Sequence, residues 1–137
     1  SGSAFREAVA RAGAKPAGAS LQVRLARKGD ALAIEISSAL APGVAAEADL
    51  YAAVTESRLA SDVKAGENRG ERLHHDHVVR SAVKVGAIGA VPRPLAFTRA
   101  IDPGWKAEDL AVVVWAQDRA TGEVLQAARL AHCPAGR

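Results

Sequence analysis

The sequence predicts an all-β protein: an antiparallel β-sandwich of the immunoglobulin-like, Greek-key type, preceded by one short N-terminal helix. Three observations carry that expectation. From Ser20 onward, apolar residues alternate with polar ones in runs of strand length. Turn residues punctuate those runs, and about seven strands recur before the chain ends. The chain has 137 residues, of which 49% are hydrophobic and 24% charged, enough for one folded domain with an apolar core. Only 4% are aromatic, so Val, Leu, Ile and Ala must build that core.

Residues 4–13 read as the helix. Ser3 is placed to cap it, and Phe5, Ala8, Val9 and Ala12 recur at helical spacing before Gly13. Pro16 and Gly18 then form a linker. Leu21, Val23 and Leu25 share one strand face, Lys28-Gly29-Asp30 turns the chain, and Leu32, Ile34 and Ile36 share the next face. A third strand spans 48–56, with Leu50, Ala52 and Val54 on one side. Residues 73–85 read as a long strand, and Gly86, Gly89, Pro92 and Pro94 as a loop. Strands follow over 95–101, 110–117 and 123–130, with a turn at Asp102-Pro103-Gly104. The Val112-Val113-Val114-Trp115 run suits a central strand covered on both sides.

This divides the chain into a leading segment 1–19, a β-sandwich domain 20–131 and a tail 132–137. Ser1-Gly2-Ser3, in a sequence without Met, reads as an expression scar on an excised domain, and the helix as the end of a missing one. Neither a signal peptide nor an apolar run of membrane-crossing length occurs, so no membrane insertion is expected.

Charge excludes one class of partner. The net charge of +3 comes from 18 basic and 15 acidic residues interspersed along the chain. Nucleic-acid surfaces concentrate basic residues with stacking aromatics, whereas the longest basic cluster here is Arg24, Arg27 and Lys28. Cys133 is the single cysteine, so it forms no intrachain disulfide, and it reads as a bystander thiol. Trp105 and Trp115 read as fillers of the core or its edge.

The densest chemistry lies between Gly66 and Arg80. On an extended chain Leu73, His75, His77, Val79, Ser81, Val83 and Val85 share a face, which their composition directs to the core. His74, Asp76, Val78, Arg80 and Lys84 take the other. Two histidines one residue apart on a strand suit a metal ion, with Glu67 or Glu71 adding a carboxylate. The competing reading has His75 and His77 hydrogen-bonding to the Glu67-Asn68 turn and sealing the end of the sandwich. Ser81 lacks the strand-to-helix elbow of a nucleophilic serine, and Gly86-Ala87-Ile88-Gly89 lacks the Lys-Ser/Thr ending of a phosphate loop.

Gly66-Glu67-Asn68-Arg69-Gly70, followed by Leu73-His74 and His77-Val78-Val79-Arg80, resembles the hallmark of a bacterial family of unknown function. Val112 to Gln117, Gly122 and Leu125 to Arg129 are similar to that family's final hairpin. The family's members are secreted or periplasmic, with a thioredoxin-like N-terminal half and a β-sandwich C-terminal half. The resemblance implies that this chain is the sandwich half and that the leading helix ends a thioredoxin-like domain. No cofactor is implied, and the family's thiol chemistry falls outside these residues. The expected role is a non-catalytic accessory domain in the periplasm or secreted, contacting the thioredoxin-like domain of its parent chain and open to a protein partner. Gly66, Glu67, Asn68, Gly70, His75, His77 and Arg80 would form its structural motif. The alternative is a metal-binding or metal-dependent hydrolytic domain using His75, His77 and Glu67. A carbohydrate-binding module is a third class, against which the low aromatic content speaks.

Overall fold

The computed structural model describes residues 18–57 and 78–131, together with the backbone of 6–10 and of 77. Eight strands account for most of them: β1 Arg6–Ala10, β2 Ala19–Lys28, β3 Ala31–Leu40, β4 Ala48–Ser57, β5 His77–Ile88, β6 Arg93–Ala100, β7 Leu110–Asp118 and β8 Val124–Ala131. One 3-10 turn, Ala107–Asp109, precedes β7. The strands form two four-stranded sheets, in the orders β1-β2-β3-β6 and β5-β4-β7-β8. Every pairing is antiparallel.

Alternation explains how the sheets meet. Leu21, Val23 and Leu25 of β2 and Leu32, Ile34 and Ile36 of β3 project from one face of the first sheet and are almost fully buried. Leu50, Ala52 and Val54 of β4 and Leu110, Val112, Val114 and Ala116 of β7 do the same in the second. All belong to one apolar cluster, so the two sheets share a single core. Phe97 and Trp105 pack against its margin, partly buried. At the β2–β3 turn the register closes at Lys28 and Ala31, and Gly29 takes φ 60°, left-handed backbone that a side chain disfavours.

Three expectations are corrected. The N-terminal helix is not seen: Arg6–Ala10 is β1, paired with β2 from Arg6↔Leu25 to Ala10↔Leu21. A helix this short is marginal in water, whereas the free edge of β2 offers a complete ladder of hydrogen bonds. Pro94 and Gly86 lie inside strands rather than in a loop. Pro94 is tolerated because β6 is the last strand of its sheet, with a ladder on one side only.

The third correction concerns the faces of β5. Val83 and Val85 pack against the core as expected, but Val79 is 62% exposed. The ladder to β4 slips between Val54↔Ser81 and Thr55↔Val79, leaving Arg80 as an extra residue, and again between Leu50↔Gly86 and Tyr51↔Lys84. Each bulge inserts one residue, so the alternation upstream of Arg80 changes side.

Candidate functional site

Gly66, Glu67, Asn68, Gly70 and His75 lie outside the described residues, as does the side chain of His77. His77 opens β5, its backbone opposite Ser57. Among the described residues no group of three or more His, Cys, Asp or Glu is gathered for a metal ion. Of the proposed motif, only Arg80 has a described side chain, and its partner lies on β4.

At that end of the second sheet, the Arg80 bulge turns its guanidinium onto Glu56, with Nε 3.0 Å from Oε1. Glu56 is 1% exposed on the core-facing side of β4. Its second oxygen accepts the backbone N–H of Lys106 at 3.1 Å, which ties the segment before β7 to β4. Ser57 Oγ donates to the Asp109 carbonyl at 3.2 Å beside it. A buried carboxylate is costly unless both oxygens are engaged, and here both are.

The opposite end of β4 repeats the arrangement with another acid. Asp49 is 3% exposed, and Arg119, just past β7, grips it with two parallel bonds: Nη2 to Oδ1 at 2.8 Å and Nε to Oδ2 at 3.1 Å. Lys84 Nζ approaches Oδ2 at 3.5 Å from β5, and Arg119 also reaches Glu47 at 3.3 Å. The Arg119 hydrogen bonds hold the Asp49 carboxyl below its ordinary value of 3.8, with burial opposing and the Arg119 and Lys84 charges assisting. Asp49 and Arg119 thus join β4 to the turn after β7.

A depressed carboxyl pKa stabilises the fold above the unfolded value, and that stability is lost as pH falls through the folded one. Urea midpoints of the wild type should therefore drop as pH falls below 3.8. Asp49→Asn should be weaker at neutral pH and show a shallower acid dependence. Parallel profiles for the two proteins would remove Asp49 from the acid transition.

Between these two ends, the outer face of the second sheet carries an aromatic pair. Tyr51 and Trp115, register partners on β4 and β7, stack with centroids 5.4 Å apart and planes 14° from parallel. The indole Nε1 of Trp115 donates to Gln117 Oε1 at 3.1 Å, and Gln117 Nε2 donates to the Gly122 carbonyl at 2.8 Å. Trp115 therefore stands half-buried on the outside of the sheet, not in the core. On the far side of the molecule from β8, Arg99 of β6 donates to Ser81 Oγ of β5, with Nε at 3.1 Å, bridging the edge strands of the two sheets.

The sequence signals for these acids are uneven. Glu56 has the same parity as Leu50, Ala52 and Val54, which marks it as an inward-facing acid in need of a cation. Asp49 has no such mark, because its arginine lies 70 residues away.

A family model described as a protein of unknown function, DUF1223, matches residues 1–117. The chain belongs to this family. No reaction is assigned to this family. A domain of the outer membrane lipoprotein Omp28 from Porphyromonas gingivalis has a similar structure, with a TM-score of 0.63 and 14% identity over 86% of this chain and 90% of that one. At that identity the likeness shows the fold alone. No curated protein matches the chain. No helix among the described residues is long and apolar enough to cross a membrane.

Proposed function

We propose that this DUF1223 chain is a non-catalytic accessory domain of a bacterial cell-envelope protein. It is a β-sandwich of the immunoglobulin-like, Greek-key kind, packed against a thioredoxin-like domain of the same parent chain and open to a protein partner. The observation that carries this reading is the state of the two buried acids. Asp49 and Glu56 each have both oxygens occupied by donors from other segments of the chain. General acid-base work needs a carboxyl that is free to exchange its proton near neutral pH, and Asp49 is held the other way. These acids serve as ties between strands. The similar Omp28 domain comes from an outer membrane lipoprotein, which supports an envelope location, periplasmic or secreted. The Gly66-to-Arg80 stretch keeps a structural role in this reading, with Arg80 as its anchor on Glu56.

Cell fractionation of the parent protein tests the location. It should appear in the periplasmic, outer-membrane or secreted fraction, and its gene should encode a thioredoxin-like domain upstream. Recovery in the cytoplasm, or a different upstream domain, would overturn the reading.

A further inference from the structure

We infer that the outer face of the second sheet carries a shelf for an acidic sugar, built on Trp115, Ala127 and Arg129. The row across that sheet runs Lys84, Tyr51, Trp115, Ala127, one residue from each strand in register. Tyr51 and Trp115 are stacked along this row, so Tyr51 covers one face of the indole and the other turns toward β8. There the register partner is Ala127, an exposed residue that sets only a methyl beside the half-buried indole. Arg129 follows two positions along the same side of β8. It is exposed and forms no hydrogen bond or ion pair among the described residues.

The ring is held ready. Tyr51 fixes its plane and Gln117 fixes its edge, so little side-chain entropy remains to be lost when a ligand arrives. The axial C–H groups of a pyranose carry slight positive charge and settle on the negative face of an indole. A carboxylate on that sugar then meets the guanidinium of Arg129, whose paired donors match its two oxygens. A single-stranded nucleic acid calls for several such rings along a basic groove, whereas one stacked pair beside Arg129, the arrangement among the described residues, suits a single charged sugar. The low aromatic content weighs little against this site, since two of the few aromatics meet on this face. The inference goes beyond the accessory role and is independent of it, because a chain that binds no sugar can still dock a neighbouring domain.

The test is a titration of the isotopically labelled 137-residue chain with trigalacturonate, and with maltotriose as its uncharged counterpart. The indole resonances of Trp105 and Trp115 report binding, assigned with Trp105→Phe. The Trp115 signal should shift saturably with trigalacturonate and about tenfold more weakly with maltotriose. Arg129→Gln should remove that preference, and Ala127→Leu should abolish the shift by covering the indole. Both positions are exposed, so the rest of the spectrum should keep its dispersion. No shift up to ~10 mM sugar overturns the proposal. So does a shift that survives Ala127→Leu, or tighter binding of maltotriose or a short oligothymidylate.

Discussion

Leu50→Ala is expected to destabilise the domain by about 3–4 kcal/mol in urea denaturation. Leu50 is 0% exposed and lies on the central strand β4, opposite Gly86 of β5 and Ala116 of β7. Neither neighbour has a side chain long enough to close the space that truncation would leave. The loss therefore combines the transfer energy of the missing carbons with an unrelaxed cavity between the two sheets. Val79→Ala, on a neighbouring strand but 62% exposed, should change stability by less than about 0.5 kcal/mol. Equal effects at the two positions would contradict the single shared core.

Glu56→Ala is the second large effect, with an expected loss of about 2–3 kcal/mol. Removing the carboxylate strips Arg80 of its partner and leaves the Lys106 N–H without an acceptor. Arg80 is 30% exposed and recovers some hydration, which keeps the loss below that of a fully enclosed pair. The backbone N–H of Lys106 has less recourse, and the segment leading into β7 should loosen. Faster amide exchange at residues 105–109 than in the wild type would show that loosening. A variant that melts like the wild type would remove Glu56 from the forces holding β4 to β7.

Most strands were legible because an antiparallel sheet with one buried face writes its period into the sequence. Leu21, Val23 and Leu25 announced β2, Gly29 its turn, and the valines at 112–114 a central strand, although its outer face, with Val113 and Trp115, is half-buried and not fully covered. What stayed hidden depended on residues far along the chain. Phe5, Ala8, Val9 and Ala12 fit helical spacing, and only the β2 edge converts their neighbourhood into β1. A bulge adds one residue without any compositional mark, so the exposure of Val79 could not be read from alternation. The site was less legible than the fold. Arg80 was singled out for its motif, but its acid is on β4, 24 residues earlier. Tyr51 and Trp115 looked unrelated until the β4–β7 register set them side by side.

The functional reading rests on buried acids that act as ties between strands, and a double-mutant cycle on Glu56 and Arg80 tests that most directly. Glu56→Ala, Arg80→Ala and the double variant would be compared with the wild type by urea denaturation at neutral pH. If the pair is a structural tie, the two substitutions should couple by about 1–2 kcal/mol, with the double variant losing little more than Glu56→Ala alone. Additive losses, with no coupling, would mean that Glu56 is not committed to Arg80, and a buried carboxylate free for other chemistry would contradict the account.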